Sequence, residues 1–243
     1  MSNAFDIRYN SIAGQSAPGI DVFEKSSYLT KAQLELVKNY YDPNSNRKQK
    51  GFEASEKRRV DLKELIKDYK SSNSSKLPSN IHGSARFFQI PDDVFLLINE
   101  KVKISSGDCF NNSVISVKTV THDEFNNQVK NPFKTPDGSV AWRLDISRIG
   151  GKQNVEIVSP YNVTGQLEYQ IRYLKYPKPI ILADLDISFP NETITIEGIQ
   201  AKTDCELHTE IHDEIVDRAV ELAIRDYKQQ GLESKVQLDA RNE

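Results

Sequence analysis

The sequence predicts an α+β protein in which an antiparallel β-rich region is inserted between two N-terminal helices and one C-terminal helix. Apolar residues recur at helical spacing before residue 70 and after residue 208. Between them lie short runs rich in Val, Ile, Phe, Tyr and Thr, and no regular alternation of strands and helices is evident. Each amphipathic helix must cover its apolar stripe, so we expect the three helices to form a bundle beside a sandwich- or barrel-like region.

Residues 1–29 are predicted to form an extended arm, because Gly14, Pro18 and Gly19 interrupt apolar residues that show no sustained period. We expect the arm to become ordered against a neighbouring molecule, and a loose terminus without a role is the alternative. Together with a later basic cluster, the arm supplies the candidate assembly contacts: Phe5, Ile7, Tyr9, Ile12, Pro18, Phe23, Lys57, Arg58 and Arg59.

Residues 30–80 are predicted to form a helical segment followed by a linker. Thr30 and Gln33 match a capping box, and Asp42 before Pro43 ends the first helix. A second helix is predicted over about residues 54–70, and a Ser/Asn-rich linker over residues 71–80. The Lys57–Arg59 cluster of this second helix has no glycine-rich or aromatic residues beside it. This favours a solvated face or a salt-bridged subunit contact over a phosphate site.

Residues 81–200 are predicted to be β-rich, with polar turns between alternating runs typical of antiparallel strands. A short helix is expected after Thr121, with acidic residues in its first turn. The predicted strands are Ala85–Ile90, Val94–Ile104, Val114–Thr121, Val140–Ile146, Asn154–Ser159, Gln166–Tyr173 and Thr193–Ile199.

Residues 201–231 are predicted to contain a C-terminal helix that packs with the N-terminal helices. Thr209 is the expected cap, acidic residues occupy the first turn, and Gly231 is the expected stop. Residues 232–243 are predicted to be a polar tail.

Composition and charge indicate a protein of aqueous compartments. The formal net charge of −3 gives no nucleic-acid footprint, no run approaches the roughly 20 apolar residues that span a bilayer, and the first ten residues lack the apolar core of a signal peptide. Cys109 and Cys205 lie too far apart in the sequence to suggest a metal-binding pair, and we expect reduced thiols.

The sequence contains no pattern that predicts catalysis or a cofactor. Cys205, His208 and His212 are the one candidate metal cluster, and we expect it to be empty. Glu210 follows His208 by two residues, about 200° around a helix, so it could not serve as the base of a zinc-protease site. We therefore expect no catalytic residue and no enzyme activity.

Two long strings resemble a family of phage structural proteins. At the N-terminal end they are FDIRYNSIAGQSAPGIDVFEKSSYLTKAQLELVKNYYDP and GFEASEKRRVDLKELI, and at the C-terminal end IRYLKYPKPIILADL and ITIEGIQAKTDCELHTEIHDEIVDRAVELAIRDY. They cover about residues 5–70 and 169–228. The family is that of the ring or portal-adaptor proteins (head-to-tail connectors) of crAss-like bacteriophages and similar large podoviruses.

The resemblance implies a structural virion protein of the neck or tail, assembled in the host cytoplasm. Such subunits form homo-oligomeric rings, expected to be twelvefold, that contact the portal protein and neighbouring rings and line the channel for genome passage. A tail-associated β-sandwich that recognises a host surface ligand is the alternative function. The resemblance brings no catalytic residues.

Overall fold

A computed structural model of the chain describes residues 1–13, 18–42, 53, 55–72, 74–75, 85–105, 113–131, 136, 139–146, 148, 152–159, 166–189 and 193–239. They divide into a helical unit, from residues 1–65 and 177–243, and a β unit, residues 66–176. The helices of the helical unit are α1 (Ser2–Ala13), α2 (Val22–Tyr41), α3 (Glu56–Leu62), α5 (Leu185–Ser188) and α6 (His212–Asp239). The β unit contains α4 (His122–Gln128) and β1 (Ile66–Ser71), β2 (Ser74–Ser75), β3 (Ala85–Gln89), β4 (Val94–Ser105), β5 (Val114–Thr119), β6 (Val140–Asp145), β7 (Asn154–Val158) and β8 (Gln166–Lys175).

The described N-terminal residues are mainly helical, so the predicted extended arm over residues 1–29 is wrong. Phe5 and Tyr9 are four residues apart and both are buried, which anchors α1 against α6. Asp21 caps α2: its side chain accepts a hydrogen bond from the Glu24 backbone N–H, and the Glu24 side chain accepts one from the Asp21 N–H. This reciprocal pair is a capping box nine residues earlier than the predicted one.

Thr30 and Gln33, the predicted cap, lie inside α2 and hold a tertiary contact instead. The Thr30 hydroxyl accepts a hydrogen bond from the Ile180 N–H at 3.0 Å, and the Gln33 amide donates to the Lys178 carbonyl at 3.0 Å. Ser26 likewise accepts from the Leu182 N–H. These three side chains recur at i, i+4 and i+7, so one buried polar stripe satisfies the backbone of an extended segment.

The predicted second helix is much shorter than expected. α3 ends at Leu62, one 3₁₀ turn follows, and residues 66–71 form β1. β1 pairs with β8 in antiparallel register from Ile66 opposite Leu174 to Ser71 opposite Tyr169. The spacing of Leu62, Leu65, Ile66 and Tyr69 fits a helical stripe, but the partner strand lies a hundred residues away and leaves no trace in local periodicity.

α6 is longer than predicted and is capped differently. A 3₁₀ turn covers Thr209–Ile211, and the His208 ring accepts the Glu210 N–H, so His208 and not Thr209 occupies the cap position. The helix continues through Gly231 to Asp239, so the predicted stop is wrong and the predicted polar tail is mostly helical. α6 packs against α1 and α2.

The β unit is built on one eight-stranded sheet in the order β1-β8-β4-β5-β6-β7-β3-β2. Its edge strands, β1 and β2, are separated by only two residues, so three Cα steps of at most about 11 Å join the two edges. The sheet must therefore curl like a half-barrel. The α+β class is confirmed. Of the two forms predicted for the β region, the described strands agree in part with the barrel-like one, because they form a single curled sheet and not the two sheets of a sandwich.

The sheet is mixed and not purely antiparallel. β5 and β6 pair in parallel, with α4 in the connection between them, and the other strand pairs are antiparallel. Thr121 caps α4 as predicted, by accepting a hydrogen bond from the Glu124 N–H. Six predicted strands are confirmed to within two residues; the seventh, over residues 193–199, contains a tight turn in which Glu197 and Gly198 have positive φ.

A register shift in β4 decides which residues enter the core of the sheet. Leu97 pairs with Tyr173 but Asn99 pairs with Arg172, so β4 contains one extra residue at this point. Before it the inward-facing side chain is at an odd-numbered position, Leu97, and after it the inward-facing side chains are at even-numbered positions. After the shift, Val102 and Ile104 join the buried inner face. On the outer face, Phe125 of α4 packs edge-on against Trp142, with ring centroids 5.7 Å apart.

Candidate assembly surfaces

The outer face of α1 is the side of Ile7, which lies opposite the buried Phe5 and Tyr9, whereas Ile12 follows Phe5 by seven residues and is exposed near the end of the helix. Ile7 is 70% exposed and Ile12 is 63% exposed. The only charged residues of α1 are Asp6 and Arg8, and both form ion pairs within the helical unit. Exposed apolar side chains in an uncharged patch favour contact with another macromolecule.

Phe5 and Tyr9, two of the predicted assembly contacts, instead face the interior of the helical unit. Their rings stack with centroids 6.1 Å apart, and both side chains are buried. The Tyr9 hydroxyl points to the Pro18 carbonyl at 3.5 Å, and Pro18 itself is exposed. Phe23 is half-buried against the cluster of Ile181, Leu185 and Ile196. Among these candidates, Ile7, Ile12 and Pro18 remain accessible to a neighbour.

One face of α6 carries an acidic stripe. Asp213, Asp217 and Glu221 are separated by four residues each, and Glu210 precedes them by three, so the four carboxylates share a side. Arg8 of α1 contacts both Asp213, at 2.7 Å, and Asp217, at 2.9 Å. One guanidinium is thus shared by two carboxylates, and Glu221 pairs with Arg218 at 2.9 Å, so the four carboxylates of the stripe contact two guanidinium groups and its net charge is negative.

The predicted basic cluster is largely engaged within the helical unit. The Lys57 ammonium donates to Glu214 at 2.6 Å, and the Tyr40 hydroxyl donates to the same carboxylate at 2.7 Å. The hydrogen bond from Lys57 is the main reason why the pKa of Glu214 is lowered. The Arg58 guanidinium lies 5.1 Å from the centre of the Tyr40 ring, and Arg59 is exposed. Among the described residues, Lys57 thus links α3 to α6 and Arg58 contacts α2.

Beside this cluster lies a buried carboxyl group, Asp61, that has no hydrogen-bond partner among the described residues. Asp61 is 1% exposed, and neither of its carboxylate oxygens accepts a hydrogen bond from the described part of the chain. Burial is the largest cause of its raised pKa, and the charge of Lys57 opposes that rise. A buried acid of this kind gains a proton more readily in the folded chain than in the unfolded chain.

The candidate metal residues make separate contacts with the protein. The Cys205 thiol points to the Gln33 side-chain oxygen at 3.5 Å, and burial raises its pKa to about 11. The His208 ring occupies the cap position before α6, and His212 Nε2 lies 3.1 Å from the Leu207 carbonyl oxygen. No group of three or more potential metal ligands occurs among the described residues. Cys109 lies outside them.

The β unit also has a polar group of side chains on its inner face. Arg143 and Glu100 form an ion pair, with 9% of each side chain exposed, and the Tyr169 hydroxyl donates to the second oxygen of Glu100. The register shift in β4 is what turns Glu100 inward. Burial and the Glu100 charge raise the pKa of Tyr169, so this hydroxyl remains a donor.

The outer face of strands β1, β8, β4 and β5 carries an excess of basic side chains that sequence reasoning missed. Cross-strand register places Lys70, Gln170 and Lys101 in one row and Asp68, Arg172 and Asn99 in the next. We call this surface the basic face, and its charged members are Lys70, Lys101, Lys103, Lys118, Arg172, Asp68 and Glu168. Only Asp68 and Glu168 are acidic, and Asp68 already pairs with Arg172 at 2.7 Å.

Alternation alone could not reveal the basic face. Its lysines occur on three strands that are distant in sequence, and the strand order β1-β8-β4-β5 brings them together. A groove of about 270 Å³ crosses the two rows, between Lys70 and Lys101. Val114, an exposed apolar residue, lies opposite Lys103 at its margin.

The described residues thus present an exposed apolar side chain on α1, an acidic stripe and a basic face. Within the described residues, no helix has the length and apolar character required to cross a membrane. The chain belongs to the phage tail ring protein 3/4 family: its residues 1–235 match the sequence model of that family. It is therefore a structural tail ring protein, and a virion component, of a crAss-like phage.

Two proteins of Bacteroides phage crAss001 are similar to it along most of their length. Ring protein 4/5 is 36% identical over 244 aligned residues, which cover 100% of this chain and 98% of that protein. Ring protein 3 is 32% identical over 210 residues, covering 86% of each chain. One phage thus contains two different ring proteins with sequences related to this one.

Proposed function

We propose that this chain is a ring-forming subunit of the portal–tail assembly, where it connects the head to the tail and lines the channel for genome passage. The observation that carries the proposal is the outer face of α1. Ile7 on this face is exposed, and both charged residues of α1 form ion pairs within the helical unit. Together with membership of a ring protein family, this favours a surface that neighbouring copies cover.

The proposed assembly is a closed homo-oligomeric ring of twelve copies, with the portal protein and other tail rings as its axial partners. Closure by rotation requires two different, complementary faces on each subunit. The helical unit offers the outer face of α1 and the acidic stripe, and the β unit offers the basic face. Exposed members of the predicted contacts, Ile7 and Ile12 above all, replace Phe5 and Tyr9 as the side chains that meet a neighbour.

The charge of the chain supports a channel that lets DNA pass. A formal net charge of −3 gives no general attraction for phosphates, whereas a strongly cationic lumen would retain them. The proposal therefore places the basic face in contacts between proteins and not along the lumen. Assembly occurs in the host cytoplasm, before the particle is released.

Immunogold labelling of intact particles and of isolated tails tests the location. Antibodies raised against the purified chain are expected to label the neck and the adjoining part of the tail, between the portal and the distal tip. An antibody against a capsid protein provides the matched control for labelling of the head. Gold found on the capsid, on distal fibres only, or on no part of the particle would contradict the proposed position.

A further inference from the structure

The two units of the chain carry opposite charge. The helical unit contains 18 Lys and Arg residues against 24 Asp and Glu residues, a formal charge of −6. The β unit contains 14 basic against 11 acidic residues, a formal charge of +3. The two values add to the −3 of the whole chain, so its mild acidity conceals two oppositely charged halves.

In each unit, part of the excess charge is exposed on one surface: the acidic stripe of the helical unit and the basic face of the β unit. On α6, Asp213 is 78% exposed at its side chain, and Asp217 and Glu221 are each 65% exposed. On the sheet, Lys70 and Lys101 are both exposed and lie on either side of Gln170. Adjacent strands are about 4.8 Å apart, so the backbone positions of the two lysines are about 10 Å apart, within the length of the acidic stripe.

Each charged surface also adjoins an exposed apolar side chain. Arg8 of α1 contacts the acidic stripe, and Ile12, four residues after Arg8 on the same side of the helix, is 63% exposed. Lys103 of the basic face lies opposite Val114. Interfaces commonly combine an apolar centre with a polar, charged rim, and the pairing of opposite charges fixes the orientation of the partners.

We propose that the basic face of one copy receives the acidic stripe of the next copy in the ring, with the exposed Ile12 of α1 beside the stripe. This inference rests on the proposed ring function and adds the identity of the two complementary faces. A head-to-tail contact of this kind uses each face once per subunit, which is the requirement for a closed ring of identical copies. The occupant is a second copy because both signs of charge are present on one chain.

Charge reversal tests the pairing. The variant Lys70→Glu/Lys101→Glu makes the basic face acidic. The variant Glu210→Lys/Glu221→Lys reverses the two ends of the stripe; it keeps both contacts of Arg8 and removes the ion pair of Glu221 with Arg218. Each variant alone is expected to raise the concentration needed for half-assembly by about tenfold or more, because like charges then oppose each other. Combining all four substitutions in one chain is expected to restore assembly to near the wild-type concentration.

Lys31→Glu/Lys38→Glu is the matched control, since it makes the same charge change at two exposed residues of α2. Assembly is measured by sedimentation velocity over a concentration series, and circular dichroism verifies that each variant is folded. Wild-type rings that neither two-residue variant weakens, or a four-residue variant no better than its parents, would overturn the pairing. A wild-type chain that never assembles would instead overturn the proposed ring function.

Discussion

Asp61 shows how a single residue can set the pH response of the helical unit. Its carboxyl group is buried beside Lys57 and Glu214, and it accepts no hydrogen bond from the described residues. The pKa of Asp61 is higher in the folded chain than in the unfolded chain. Folding is therefore accompanied by proton uptake at pH values between the ordinary aspartate pKa of about 3.9 and the raised pKa. The contribution of Asp61 to stability is therefore most favourable at low pH and declines as pH rises through the raised value.

Replacing Asp61 by Asn should increase the stability of the protein at neutral pH, because the amide carries no charge to desolvate. We expect a gain on the order of 1 kcal/mol in the free energy of unfolding, a common size for the effect of a single substitution. Denaturant unfolding followed by circular dichroism at pH 4 and pH 7 measures it, and the gain should be larger at pH 7.

The matched control for this substitution is Asp92→Asn, at an exposed aspartate of the β unit. It should change stability by less than about 0.5 kcal/mol at either pH, as surface substitutions usually do. An Asp61→Asn protein that is less stable than the wild type at pH 7 would show that the charged carboxylate has a stabilising partner.

At the scale of elements, the start of α2 is set by its capping box. Asp21 and Glu24 exchange hydrogen bonds across the first turn. Thr30 and Gln33 have the residue types of a cap but use them to bind the backbone of residues 178 and 180. A helix cap and a buried polar stripe can have the same residue types at the same spacing. Only the extended segment that packs against Thr30 and Gln33 shows which of the two roles these residues have.

Asp21→Ala should destabilise the protein by about 1 kcal/mol, the usual loss for removing an N-cap side chain. Thr209→Ala should have little effect, because the His208 ring, and not the Thr209 side chain, accepts the hydrogen bond from the Glu210 N–H before α6. Thermal unfolding of the two variants compares them directly. If Thr209→Ala costs as much as Asp21→Ala, the assigned cap of the last helix is wrong.

Local signals in the sequence predicted most strands of the β unit. Elements that depend on contacts between residues far apart in the sequence were predicted wrongly. Six strands and α4 could be predicted because alternation and turn residues are local properties. β1 was predicted as helix because its pairing with β8 depends on residues a hundred positions away. α1 was missed because its buried side includes only two large residues, Phe5 and Tyr9, and the exposed Ile7 interrupts the helical spacing of its apolar residues.

The candidate surfaces could be predicted only in part for the same physical reason. The N-terminal residues were expected to contact neighbours, and the exposure of Ile7 and Ile12 supports that expectation, whereas Phe5 and Tyr9 are core residues. Lys57 and Arg58 are engaged within their own unit. The basic face depends on strand order and on the register shift in β4, and neither can be read from local sequence.

At the scale of the whole molecule, the chain combines two units of opposite charge with an uncharged apolar helix face. Family membership identifies it as a tail ring protein, and two related ring proteins occur in one phage. Stable rings need surfaces that are complementary without being self-complementary, since a self-complementary patch gives a dimer. Separating the acidic stripe and the basic face onto different units provides that asymmetry.

The mass distribution of the purified chain over a concentration series tests this account most directly. Mass photometry of the wild type should show one closed species at a fixed multiple of the 27.6 kDa chain, expected to be twelve, in equilibrium with single chains. Ile7→Asp, measured in parallel, should shift that equilibrium towards the single chain, because it buries a charge in the contact. A 27.6 kDa species at every concentration, or polymers without a fixed mass, would contradict the account.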